Sequence, residues 1–248
     1  QALILLAEML QRGLEADGIT YSAAASACEK AAKWQHAICL LSDMRLLSVE
    51  ADLMMHSAVI SACEKGASWL WALTLLTEIR QSSLEADVIA FSATISACEK
   101  GAAWQQALAL LVEMQQQGLA PDESTYNAAI SAFDTCKRSD EALELFEGMQ
   151  QRGLTPSAIT YSAIISACLN AEQWQVALHL LDQARHTLEP EYLSELAWAF
   201  AALSINDVEL FRAIALDSSS TMRHLNLEKL SLLAWAYAVF DEAKPPFL

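Results

Sequence analysis

Apolar positions along this chain follow a helical period that stops and restarts in a fixed pattern. Between residues 88 and 122, Phe91, Ala93, Ile95 and Ala97 mark a first run of small and apolar side chains. Ala107, Leu108, Leu110, Leu111 and Met114 mark a second run, at the three- and four-residue spacing of an amphipathic helix. The pattern predicts a helix from about Ile89 to Lys100, a flexible break at Gly101, and a helix from about Trp104 to Gln117, stopped by Gly118 and Pro121.

The same pattern recurs on a 35-residue ruler. Trp34, Trp69, Trp104 and Trp174 fall on it, with Ser139 at the one empty mark. Cys28, Cys63, Cys98 and Cys168 do the same, with Phe133 at their empty mark. Ser-Ala-Cys-Glu-Lys appears at 26–30, 61–65 and 96–100, and Asp17, Asp52, Asp87 and Asp122 keep the spacing. Five units follow: 18–52, 53–87, 88–122, 123–157 and 158–191, the last one residue short. Residues 1–17 correspond to the second half of a preceding unit, because Gln1 aligns with His36, so the chain is expected to be a piece of a longer protein. Neither helix of a unit buries its apolar face alone, whereas stacked copies do, which is the physics of an α-solenoid. The fold class expected is therefore all-α, built of stacked helix-turn-helix hairpins.

Beyond about residue 191 the ruler changes. Leu196-Ala197-Trp198-Ala199-Phe200-Ala201 returns as Leu233-Ala234-Trp235-Ala236-Tyr237-Ala238, a period of 37. Residues 192–248 thus read as a second kind of helical-hairpin repeat.

Composition narrows the function. Apolar residues make up 54% of the chain, so it is no disordered acidic tail. With 31 acidic against 15 basic residues, the net charge of −16 argues against indiscriminate nucleic-acid binding. No apolar stretch approaches the ~18–20 residues of a membrane span. There is no Gly-rich phosphate loop, no His-x-Glu with Cys-x-x-Cys and no aspartate cluster after the repeats, so no catalytic constellation and no cofactor are expected.

The 35-residue unit, with Ser124-Thr125-Tyr126-Asn127-Ala128-Ala129-Ile130, Glu141-Ala142-Leu143-Glu144-Leu145-Phe146 and Gln117-Gly118-Leu119-Ala120-Pro121-Asp122, resembles the pentatricopeptide repeat over residues 1–191. The Leu-Ala-Trp-Ala-Phe-Ala segments resemble octotricopeptide-type repeats of algal organelle proteins. The resemblance implies a right-handed superhelix that binds single-stranded RNA, one base per repeat, in RNA processing, editing, stability or translation in a chloroplast or mitochondrion. It implies no membrane and no small-molecule substrate, with other proteins as further partners.

The resemblance assigns roles by place in the unit. The fifth and last residues face the base edge: Ser22 with Asp52, Ser57 with Asp87, Ser92 with Asp122, Asn127 with Ser157, and Ser162 with Glu191. The second residues, Ile19, Met54, Ile89, Ser124 and Ile159, pack on the base planes. Lys30, Lys65 and Lys100 occupy the place of the phosphate contact. A carboxylate only accepts hydrogen bonds, while guanine offers N1–H and N2–H₂ donors. The family's pairing rule then gives the order G-G-G-C, 5′ to 3′, for units 18–52 to 123–157.

Plainer roles stay open for the same residues. The aspartates fit N-caps of the following helix, the serines fit small packing points, and each lysine follows a glutamate and fits a solvated helix end. The tryptophans read as packing residues near the hairpin turn, sharing a volume with the cysteine of their own unit, since Phe133 accompanies Ser139. The cysteines read as small buried thiols, and the histidines, His36, His56, His179, His186 and His224, lack metal-ligand spacing, with His56 placed beside Ser57. Two other classes remain: a scaffold that binds proteins, and the targeting arm of an enzyme whose catalytic domain lies elsewhere.

Overall fold

The computed structural model describes residues 2–184 apart from 15, 83, 134, 135 and 137. Glu191 and the repeats of 192–248 lie outside the described residues. The chain divides into two compact units, 1–155 and 156–248. The described residues are all-α, as the hairpin pattern predicts.

In the first unit the helices are α1 (Ala2–Gln11), α2 (Gly18–Lys30), α3 (Trp34–Leu46), α4 (Leu53–Lys65), α5 (Trp69–Gln81), α6 (Val88–Lys100), α7 (Trp104–Gln116), α8 (Glu123–Ser131) and α9 (Ser139–Gln151). The first helices of successive repeats, α2, α4, α6 and α8, pack on one another in order, and each also packs on the second helix of its own repeat. Small residues make this possible: Ala25, Ala62, Ala97 and Ala129 are fully buried at or near the same turn of the first helices. The second helices bury one stripe each, with Ala37, Ala72, Ala107 and Ala142 at 0% exposure on one ruler mark. In the second unit, α10 (Ala158–Asn170) and α11 (Trp174–Ala184) form one further hairpin.

Each first helix starts at a side-chain cap. Asp17, Asp52, Asp87 and Asp122 have extended backbone, and Oδ1 of each accepts from the N–H of Thr20, Met55, Ala90 or Thr125 at 2.8–2.9 Å. Each first helix but α8 ends in a three-residue turn closed by a backbone bond to the ruler cysteine: the N–H of Lys33, Ser68, Ala103 and Gln173 donates to the carbonyl of Cys28, Cys63, Cys98 and Cys168.

That turn corrects the sequence reading of Gly101. Its φ is −93°, open to any residue, and the left-handed residue is the next one, Ala102, as are Ala32, Ala67 and Glu172 at their marks. Glycine is needed for another reason. A Cβ on Gly66 or Gly101 would run into the indole of Trp34 or Trp69 from the preceding repeat. Gly118, by contrast, has a φ of +75° and ends α7 as expected.

Trp34, Trp69 and Trp104 therefore reach forward onto the next repeat's turn, in addition to packing on the core that holds the ruler cysteines. The fourth repeat shows the same direction: the Trp104 ring lies 5.5 Å from Phe133 of the following repeat, and the Arg138 guanidinium lies 4.4 Å over Trp104. Phe133 answers Trp104, and α8 stops at Ser131, so that Phe133 sits in a turn.

Candidate nucleic-acid interface

The capping aspartates fix what the first turn of each first helix presents. The second residue of each repeat points away from the core. Ile19, Met54, Ile89 and Ile159 are 80%, 68%, 62% and 58% exposed, and Ser124 is exposed at the same mark. A large aliphatic side chain recurring uncovered at one mark contributes nothing to the hydrophobic core. It leaves an apolar spot exposed on each of these helices.

At one junction the fifth and last residues of a repeat are linked. Asp122 caps α8 in the repeat after the one that carries Ser92. Thr125 joins them: its Oγ1 donates to Asp122 Oδ1 at 2.6 Å and lies 2.6 Å from Ser92 Oγ. At the two earlier junctions Met55 and Ala90 stand where Thr125 stands, and neither can bridge. There the Ser22 and Ser57 Oγ atoms are buried without a hydrogen-bond partner. Leaving a buried hydroxyl unpaired costs about 1–3 kcal/mol.

Asn127 is buried and Ser162 half-buried at the same mark. Ser157 caps α10 through Thr160, whose Oγ1 accepts from the Ser157 N–H at 3.0 Å. The aspartates thus do serve as caps. The cap uses Oδ1, and among the described residues no hydrogen bond involves Oδ2 of Asp52, Asp87 or Asp122.

Two of the three candidate lysines are paired across repeat junctions. Lys65 Nζ lies 2.8 Å from Glu29, and Lys100 Nζ lies 2.9 Å from Glu64. The partner is the glutamate one repeat back, not the sequence neighbour. Lys30 is exposed. A second ladder joins the second helices, Arg45 to Glu78 at 2.5 Å and Arg80 to Glu113 at 2.9 Å. Both pairs of partners are partly exposed, so each pair is worth at most about 1 kcal/mol.

The lysine ladder stops at Glu99, because Thr135 replaces the next lysine. Burial, and then the charge of Glu64, hold the Glu99 carboxyl above the ordinary glutamate range, against the opposing pull of Lys100. A raised folded-state pKa means that Glu99 stabilises the fold below its unfolded pKa, and that this is lost as pH rises through the folded-state value. Glu99→Gln is accordingly expected to melt higher than wild type at pH 7.5, with the gap closing at about pH 4. Thermal melts at the two values test this.

Among the described residues no disulfide joins the cysteines; Cys28, Cys63, Cys98 and Cys168 are buried as expected, whereas Cys39 is exposed, and burial pushes the Cys63 and Cys98 thiols up to about 12, far from thiolate reactivity. No group of three or more His, Cys, Asp or Glu residues suited to a metal occurs among the described residues. His56 is buried, and its Nδ1 lies 2.9 Å from the Asp52 carbonyl oxygen. His186 and His224 lie outside the described residues. No described helix is long and apolar enough to cross a membrane.

Thr125 is the residue that sequence reasoning passed over as a candidate. Its signal was the recurrence of threonine at the third mark, as Thr20, Thr125 and Thr160.

Comparison with known proteins follows the same ruler. The pentatricopeptide repeat domain family matches residues 74–135 and 109–171, and the PPR repeat family matches 159–185. No curated protein sequence matches the chain. Among solved structures, the pentatricopeptide repeat protein PPR10 in complex with an 18-nt psaJ RNA element is similar at a TM-score of 0.60 and 21% identity, over 93% of this chain and 33% of that one. PPR10 from maize gives 0.63 and 20%, over 98% and 42%. The PPR domain of Arabidopsis thaliana protein-only RNase P 1, in complex with tRNA, gives 0.59 and 10%, over 86% and 95%. This chain spans about a third of the RNA-bound PPR10 chain.

Proposed function

The repeats of this chain are pentatricopeptide repeats, matched over residues 74–185, and from that premise we propose that it binds single-stranded RNA sequence-selectively. The observation that carries the reading is the recurrence of exposed Ile19, Met54, Ile89 and Ile159 at one mark, next to the fifth and last residues of the repeats. PPR10 with its RNA element and the RNase P repeat domain with tRNA support it as structural relatives.

The second-position side chains, Ile19, Met54, Ile89, Ser124 and Ile159, pack against the base planes. Apolar contact with the base planes is insensitive to sequence, as stacking on any π-face is. The edge is read by Ser22 and Asp52, Ser57 and Asp87, Ser92 and Asp122, and Asn127 and Ser157, giving the order G-G-G-C. Ser162 and Glu191 read the next base. Lys30, Lys65 and Lys100 meet phosphates, Lys65 and Lys100 by exchanging a glutamate for a phosphate oxygen. In the cell such a protein acts in an organelle by occupancy: it blocks a nuclease, opens a hairpin or guides another factor in RNA processing, editing, stability or translation. A catalytic domain elsewhere in a longer protein would make it a targeting arm.

Selection from a random single-stranded RNA pool at moderate salt tests the reading. Enrichment of G-G-G-C is expected. A pool that stays random would overturn RNA reading and favour a protein-binding scaffold.

The orphaned hydroxyls give a sharper check. In the Ser22→Ala, Ser57→Ala double variant, stability is expected to hold or rise, because two unpaired buried groups disappear. Affinity for a G-G-G-C RNA is expected to fall about tenfold or more, as two hydrogen bonds made only in the complex are lost. Urea melts and fluorescence anisotropy on the same samples separate this from a packing role, which predicts unchanged affinity.

A further inference from the structure

Three repeats carry the same serine–aspartate pair, yet they do not present the same hydrogen-bonding groups. We propose that Thr125 is a specificity-determining residue. By taking up the hydroxyl proton of Ser92, it makes repeat 88–122 stricter for guanine than repeats 18–52 and 53–87. This rests on the reading of those repeats as base readers.

Proton counting carries it. The Thr125 hydroxyl has one proton, and the Asp122 carboxylate accepts only. That proton is therefore committed to Asp122 Oδ1, at 2.6 Å. The 2.6 Å contact between Ser92 Oγ and Thr125 Oγ1 then has a single possible donor, Ser92. With its proton spent on Thr125, Ser92 faces the base with lone pairs alone. Asp122 Oδ2 beside it also only accepts. Two adjacent acceptors require two adjacent donors on the base edge. Guanine supplies them at N1–H and N2–H₂. Adenine places an acceptor beside its amino group, cytosine does the same, and uracil places its one N–H between two carbonyls.

Repeats 18–52 and 53–87 lack this constraint. Met55 and Ala90 stand at the Thr125 mark, and the Ser22 and Ser57 hydroxyls keep their protons unassigned. Each of these serines can accept from guanine N2–H₂ or donate to adenine N1 or a uracil carbonyl. The same Ser/Asp pair is thus tolerant in two repeats and strict in the third, and the difference lies in a residue that touches no base.

Binding of the full chain to synthetic single-stranded RNAs tests this. The probes are a G-G-G-C core and versions with A or U at its second or third base, measured by fluorescence anisotropy at one salt concentration. Wild type is expected to lose about tenfold or more in affinity on substitution of the third base, and about threefold or less at the second. Thr125→Ala copies the Ala90 arrangement and leaves the backbone cap of Asp122 in place; it orphans the Ser92 hydroxyl and is expected to melt lower, so binding is compared well below the melting range of both proteins. It is expected to reduce the third-base penalty to that of the second, with other positions unchanged. Thr125→Ser keeps the hydroxyl and is expected to keep the wild-type penalty. An unchanged third-base penalty in Thr125→Ala overturns the proposal, as does equal loss in Thr125→Ser. Either result leaves RNA reading intact if base preference persists at any position. Absence of base preference at every position in wild type overturns RNA reading itself.

Discussion

Replacing Asp52, Asp87 and Asp122 together by asparagine is expected to leave the fold nearly as stable and to move the RNA preference from G-G-G towards A-A-A. The two halves of this result come from the two oxygens of each carboxylate. Oδ1 caps a helix, accepting the N–H of Met55, Ala90 or Thr125 at 2.8 Å. Asparagine caps about as well as aspartate, so the amide oxygen takes over that bond. The amide NH₂ then replaces Oδ2, and a donor stands where an acceptor stood. Guanine N1–H and N2–H₂ now meet a donor, while adenine N1 finds one. A hydrogen bond to a charged group is worth about 1.5–3 kcal/mol, so each site loses roughly tenfold or more for guanine, and three sites together on the order of a thousandfold. Removing three negative charges favours RNA in general, so the loss must be read as a ratio between G-G-G and A-A-A probes. Anisotropy with both probes, beside thermal melts, decides it. If the aspartates are caps and nothing more, the ratio stays at its wild-type value.

Periodicity made the helices legible because the same answer is written several times. The first helix of repeat 88–122 was expected from Ile89 to Lys100 and runs Val88–Lys100; the second was expected from Trp104 to Gln117 and runs Trp104–Gln116. A ruler fixes phase, however, and says nothing of which repeat a side chain leans towards. Trp34 has Cys28 near it in sequence, and its indole also covers Gly66 of the next repeat. The clue was present: glycine follows the repeats with Trp34 and Trp69, and Ala171 follows the repeat with Ser139. The lysine pairs likewise join neighbouring repeats. Glu64 and Lys65 are adjacent in sequence but do not face each other on a helix, and Lys65 pairs with Glu29 instead. Part of the charge of −16 is thereby bound up in ladders between repeats. Spacing marks Thr125 only as one threonine of the third mark, and its particular role depends on hydrogen bonds among three side chains, which spacing does not encode.

Gly101→Ala is expected to destabilise the chain by about 1–3 kcal/mol, the usual cost of forcing atoms into a filled space. Backbone strain would not be the cause. Gly101 has φ −93° and ψ 7°, and Ala31 and Ala171 hold the same turn at φ −93° and −87°. The added methyl has nowhere to go because the Trp69 indole covers the position, and an aromatic ring wedged between two repeats is no flexible chain end. The partner residue makes the claim testable. Trp69→Ser, the residue found at the Ser139 mark, loses packing of its own but empties the space. In that background Gly101→Ala should cost nothing, and should stabilise by about 0.4–1 kcal/mol through the lower entropy of the unfolded chain. Urea unfolding of the four proteins gives the coupling directly, and a cost that is equal in both backgrounds would mean that the turn, not the indole, requires glycine. Gly148, with no atom near its missing Cβ, serves as the control: Gly148→Ala within α9 should stabilise in either background. Because Trp69 and Gly101 belong to adjacent repeats, their coupling is an interface energy. In a stack held together by nearest-neighbour terms, losing it should also lower the urea m-value as the repeats begin to unfold separately.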